Sequence, residues 1–119
     1  MTTLPHQRVN FAHESERDVA AVFDFYDLEW QYEPTTFILC TDDGGRPLSG
    51  FTPDFYLPQF DLYIEVTTLQ QRLVTRKNRK VRQLHQQHPE VRCKVLYRRD
   101  VAALAAQFDL PASRSLLAS

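Results

Sequence analysis

The sequence predicts an α/β domain in which a mixed central sheet is flanked by helices, and three observations carry that prediction. Apolar residues recur at helical spacing in three stretches, aromatic and β-branched runs of strand length lie between them, and turn-forming residues punctuate the joins. The resulting order is α-β-β-β-α-β-α. A three-stranded meander followed by a helical crossover to a fourth strand makes the sheet mixed. At 119 residues the chain is the size of one domain and can bury a core without disulfides.

Residues 1–10 have no period and read as an extended lead-in. Ser15 is placed to cap a helix in which Glu16 and Asp18 occupy the first turn and Val19, Val22, Phe23 and Tyr26 share a face. After Pro34, the run from Thr35 to Cys40 is a strand. Asp42 to Pro47 has turn composition, so a hairpin should return through Phe51 to Leu57. Pro58 to Asp61 form a second turn, and Leu62 to Thr67 alternate as a strand. A long helix from Leu69 to His88 is ended by Pro89, Arg92 to Tyr97 is a strand, and Val101 to Phe108 is the closing helix. Residues 110–119 are a tail.

Composition narrows the function classes. An apolar share of 43% and a charged share of 24% are ordinary for a globular protein. No apolar run approaches the roughly 20 residues that span a bilayer, and the first residues lack a signal-peptide pattern, so a cytoplasmic location without membrane contact is expected. Cys40 and Cys93 have no zinc-ligand spacing and read as buried strand residues. His13, His85 and His88 likewise lack a metal-binding spacing, which leaves them surface or capping roles. A Gly-rich phosphate loop is absent, which removes nucleotide-handling enzymes of that type.

The net charge of −1 conceals a segregation. Residues 1–71 hold three basic side chains against twelve acidic ones, whereas residues 72–99 hold ten basic side chains and only Glu90 opposing them. A basic stripe folded beside an acidic cluster suggests a phosphate track leading to a cation site; the plain alternative is a solvated helix face.

Two acids stand out. If Pro58 to Asp61 is a four-residue loop, Leu57 opposes Leu62 and Asp54 falls opposite Glu65 on the next strand. Alternation puts Thr52, Asp54, Tyr56, Tyr63, Glu65 and Thr67 on one face. Phe51, Phe55, Leu57, Leu62, Ile64 and Val66 then take the other. Opposed carboxylates are unfavourable unless a cation lies between them, and such oxygen ligands suit Mg²⁺. A cation held there can polarise a phosphate and lower the pKa of an attacking water. The competing reading is a solvated strand face that carries two acids.

The pair Pro53-Asp54, the run Glu65-Val66-Thr67 after ten intervening residues, and the element order resemble the PD-(D/E)XK nuclease superfamily with its restriction-endonuclease-like α-β-β-β-α-β core. Tyr32-Glu33-Pro34 and the run from Phe51 to Leu57 resemble a small bacterial branch of it. The likeness extends from about Phe11 to Phe108. It implies a metal-dependent nuclease hydrolysing DNA phosphodiester bonds, endonucleolytic in type. Asp54 and Glu65 would hold Mg²⁺, with Mn²⁺ able to substitute, and Val66 would add its carbonyl. Glu16 matches the first-helix glutamate of several branches, and Glu33, ahead of the first strand, is a further candidate ligand.

The pattern departs at Thr67, where the superfamily places a lysine. Either the lysine has moved, or turnover is lost and the chain is an inactive module that binds nucleic acid or a partner protein. Helical geometry, at about 100° per residue, puts Lys77 on the same arc as Leu73, Val74, Val81 and Leu84, facing the sheet, with Lys80 just outside it. A lysine there needs a counter-charge, which the acidic pair would supply. Lys77, with Lys80 as second choice, is therefore expected to replace the missing lysine. Arg72, Arg76, Arg79 and Arg82 fall on the opposite side with Asn78 between the faces, and the run from Arg76 to Lys80 reads as a grip on the phosphate backbone without sequence readout. Small nucleases cut two strands by presenting two copies of one site, so a homodimer is expected, with Phe60 as a candidate contact.

Overall fold

The computed structural model describes residues 4–67 and 71–107, and for 71–74, 104, 105 and 107 it describes the backbone alone. Helix α1 (Pro5–Arg8) occupies part of the segment expected to be extended. One turn is too short to show a period, and tertiary contact explains it: the His6 backbone N–H donates to Asp24 Oδ2 at 2.9 Å and His6 Nδ1 lies 2.6 Å from the same oxygen. Helix α2 (Glu14–Phe25) starts two residues earlier than a cap at Ser15 would place it. His13 is the capping position and its side chain makes no capping bond, while Ser15 is buried within the first turn. The helix ends with Asp27 in the left-handed region (φ 56°), Leu28 N–H reaching back to Phe23 O and Asp27 N–H to Asp24 O. These two bonds close a Schellman turn in which aspartate stands where glycine is usual.

The four-stranded sheet has the order β1 (Gln31–Tyr32), β4 (Phe55–Leu57), β5 (Leu62–Thr67), β6 (Cys93–Tyr97). β1, β4 and β5 pair antiparallel and β6 pairs parallel to β5, after the crossover of helix α3 (Gln71–Gln87). Helix α4 (Arg98–Gln107) follows β6 directly. Strands β2 (Phe37–Thr41) and β3 (Pro47–Phe51) form a separate two-stranded ladder. The single strand expected from Phe51 to Leu57 is thus broken at Thr52–Asp54. Pro53 has no N–H to give a ladder and is fully buried, so the chain leaves the hairpin there and enters the main sheet one residue past Asp54. β1, two residues long, replaces the hairpin as β4's outer partner.

The register is the expected one: Leu57 opposes Leu62, Tyr56 opposes Tyr63 and Phe55 opposes Ile64. A three-residue 3-10 turn (Pro58–Phe60), closed by Asp61 in the left-handed region, makes the connection.

Two apolar clusters lie on opposite sides of the sheet. Val19, Ala20 and Phe23 of α2 and Val101 of α4 pack on Phe55, Leu57, Ile64 and Val66. Phe55 is fully enclosed and ringed by Phe11, Phe23, Trp30 and Tyr32 at centroid distances of 5.4 to 6.0 Å. On the other side Leu39 and Phe51 pack against Val81 and Leu84 of α3. Phe51 therefore does not share the face of Phe55, because the Thr52–Asp54 break rotates it away. Cys40 is exposed rather than buried: the hairpin is covered on one side only, and along β2 Leu39 alone is buried. At Gly50 a Cβ would come within 3.3 Å of Thr36 Cγ2 and 3.4 Å of the Phe37 carbonyl, so glycine permits the close approach of β3 to the start of β2. Among the described residues no helix is long and apolar enough to cross a membrane.

Candidate functional site

The break before β4 puts Asp54 beside Glu65, and the backbone then fixes both carboxylates. Asp54 N–H donates to Glu65 Oε1 at 3.1 Å, and Val66 N–H donates to Asp54 Oδ2 at 2.8 Å. Each carboxylate is held by a backbone N–H at or next to the other acid. Asp54 is 7% exposed and Glu65 3%. Burial, then the charge of Asp54, pushes the Glu65 carboxyl up to about 8 against the opposing pull of Lys77.

Lys77 faces the sheet as its position on the helix requires. Its Nζ lies 3.1 Å from Glu65 Oε2 and donates to the Val66 carbonyl at 3.0 Å. The ammonium thus rests on two of the three groups expected to hold a divalent cation. Those oxygens already accept a positive charge, and with Asp54 alongside they form a hard, oxygen-only donor set suited to Mg²⁺. Thr67, two residues after Glu65, is 1% exposed and its Oγ1 has no hydrogen-bond partner. Positive charge at the centre therefore comes from α3 rather than from β5.

Glu16 is buried at 3% and turned toward Tyr32, whose hydroxyl donates to its Oε1. Burial raises the Glu16 carboxyl, Tyr32 works against that rise, and the nearby charge of Asp54 adds to it. Glu16 is thus a neighbour of the pair whose carboxylate is engaged by Tyr32; among the described residues, no three carboxylate, imidazole or thiol side chains form a group that could hold a metal. Glu33 takes part through its backbone, donating its N–H to Asp54 O at 2.8 Å while its side chain is exposed. Tyr32 had no periodic signal of its own because β1 is only two residues long. Tyr32→Phe should leave a buried carboxylate oxygen without its donor and cost about 1 to 3 kcal/mol in urea unfolding with the far-UV spectrum unchanged. A loss near zero would show that water replaces the hydroxyl.

A cleft of about 390 Å³ opens on the two acids, with Gly50, Thr52, Arg76, Lys77 and Lys80 around it. Lys80 Nζ donates to the Gly50 carbonyl at 3.1 Å, across the cleft from Lys77's contacts. Arg76, Arg79 and Arg82 are exposed, but Arg76 is not confined to the side of the helix away from Lys77: its long side chain lines the same cleft as Lys77 and Lys80. Asn78, between the faces, accepts a hydrogen bond on its Oδ1 from the Tyr97 hydroxyl at 3.1 Å, which ties α3 to β6. The side chain of Arg72 lies outside the described residues, as do those of Leu73 and Val74. His13 and His85 are exposed, and His88 Nε2 lies 3.1 Å from the Ile38 carbonyl, so none approaches the acids. Cys93, whose thiol is pushed up to about 12 by burial and by the charges of Glu65 and Asp54, stays protonated at neutral pH.

No family model, curated protein or solved structure matches the chain.

Proposed function

We propose that the chain is a metal-dependent nuclease of the PD-(D/E)XK type that hydrolyses internal phosphodiester bonds of DNA. The observation that carries this reading is the ammonium of Lys77 seated on Glu65 Oε2 and the Val66 carbonyl, beside Asp54, at the mouth of a basic cleft. Asp54, Glu65 and the Val66 carbonyl would hold Mg²⁺ or Mn²⁺. Bound there, the cation would polarise the scissile phosphate and acidify the attacking water. Lys77 supplies the fixed positive charge at which the developing phosphorane oxygen is stabilised. Arg76 and Lys80, on the cleft wall, hold non-bridging oxygens of the substrate. Burial of the two acids keeps bulk water from screening these charges.

A second reading is favoured by one residue. Thr67 stands where the superfamily carries its lysine, and an inactive module that binds nucleic acid would tolerate that change. Two copies are needed to cut both strands of a duplex with one centre each, so the nuclease reading includes a homodimer, for which the exposed Phe60 is a contact candidate.

Nicking of supercoiled plasmid in Mg²⁺ or Mn²⁺ separates the readings. The wild-type chain converts plasmid to the nicked form, the Asp54→Ala chain does not, and EDTA abolishes the activity. Binding without cleavage in either metal would remove the nuclease reading in favour of the module.

A further inference from the structure

Thr67 is 1% exposed, and among the described residues its Oγ1 is the one buried side-chain nitrogen or oxygen without a hydrogen-bond partner. A buried hydroxyl left unbonded carries the full cost of leaving water, which a valine of nearly the same shape would not. Strand propensity does not ask for the hydroxyl either, since valine suits β5 equally well.

Register says what lies over that hydroxyl. Side chains two apart on a strand share a face, so Thr67 stands on the face of Glu65. Its partner on β6 is Tyr97. Both neighbours touch α3, and they touch it at consecutive residues: Glu65 Oε2 meets Lys77 Nζ at 3.1 Å, and the Tyr97 hydroxyl meets Asn78 Oδ1 at 3.1 Å. Thr67 therefore lies beneath the turn of α3 that carries Lys77. The ammonium is already close along the chain, because the carbonyl to which Lys77 donates belongs to Val66 and is joined to Thr67 Cα through a single peptide nitrogen.

We propose that Thr67 is a positioning residue for Lys77: its hydroxyl accepts the ammonium when Glu65 Oε2 and the Val66 carbonyl turn to a divalent cation. The inference rests on the metal-binding part of the nuclease reading and says where the displaced charge goes. Those two oxygens cannot hold the ammonium and Mg²⁺ at once. A lysine driven off them without another acceptor would leave an unpaired charge in a half-buried place. Rotation of its flexible stem keeps the charge beside the acids and exchanges two acceptors for a neutral one. The hydroxyl engages one of the three ammonium donors, which leaves the others for a phosphate oxygen.

Variants of the full chain test this, with far-UV circular dichroism confirming their fold and free Mn²⁺ followed by electron paramagnetic resonance. Thr67→Val raises the urea midpoint of the metal-free protein, because it removes an unbonded hydroxyl. It also weakens Mn²⁺ binding about fivefold, the effect of one ordinary hydrogen bond. Thr67→Ser keeps the hydroxyl and binds Mn²⁺ like the wild type. In a Lys77→Met chain, Thr67→Val leaves Mn²⁺ affinity unchanged, since no ammonium remains to be received. A hydroxyl that merely packs would act alike with or without Lys77. The proposal is overturned by a Thr67→Val chain that binds Mn²⁺ like the wild type, or by an equal loss in the Lys77→Met background. A lower urea midpoint for Thr67→Val also overturns it, by showing the hydroxyl bonded in the metal-free fold. Those results leave metal binding at the acids standing. A wild-type chain that binds no Mn²⁺ removes the metal reading and the inference together.

Discussion

Lys77→Met lowers plasmid cleavage by about 10² to 10³ and at the same time tightens the binding of Mn²⁺. The first effect is the loss of one fixed donor at a transition-state oxyanion, for which that range is typical. The second follows from where the ammonium lies. It rests on Glu65 Oε2 and the Val66 carbonyl, so a cation coordinating the same oxygens must displace it. Methionine is similar in length, carries no charge and leaves those oxygens open. Free Mn²⁺ measured by electron paramagnetic resonance reads the affinity, and plasmid nicking at saturating metal reads the rate. Opposite signs in the two assays are the expected outcome. If affinity falls along with activity, Lys77 supports the metal as a neighbour and does not compete for its place. Lys77→Arg keeps the charge, but its planar fork does not reproduce a point charge on two oxygens, so it recovers only part of the rate.

Which parts of this arrangement could be read from the chain follows from the range of the forces involved. The Asp54–Glu65 pairing was legible because a hairpin turn transmits register: once Pro58 to Asp61 is a four-residue connection, every pair on β4 and β5 is set. Lys77 was legible because 3.6-residue periodicity carries a face from Val81 and Leu84 back to position 77. What the sequence did not show depends on contacts without a period. A two-residue strand such as β1 is defined by its partner, not by its own side chains, so its role beside β4 and that of Tyr32 over Glu16 were hidden. The split of the hairpin from the sheet turns on Pro53, whose effect on a ladder depends on whether a partner strand needs its missing N–H. Asn78 looked available for phosphate by helical angle, and only the position of Tyr97 on β6 shows that its Oδ1 is engaged.

The raised Glu65 carboxyl makes a second large effect, on stability rather than rate. In the unfolded chain this group has the ordinary carboxyl value of 4.5, whereas in the metal-free fold burial and the charge of Asp54 lift it to about 8. Between those values the folded protein keeps a proton that the unfolded chain has released. Stability is therefore greatest below pH 4.5 as far as this group is concerned, falls as pH rises toward 8, and levels off above it. Glu16, raised in the same direction by burial, adds to the slope. Urea unfolding of the metal-free protein across this window should show a midpoint that declines with pH. Glu65→Gln removes the larger part of that slope, and the slope is the readout because the Gln amide, facing Lys77, shifts the absolute midpoint as well. Saturating Mg²⁺ acts in the opposite sense. A cation between the acids favours their charged forms, so the stabilisation by Mg²⁺ grows as pH rises from 4.5 to 8. A metal effect on the midpoint that stays constant over this window would place the cation away from Glu65.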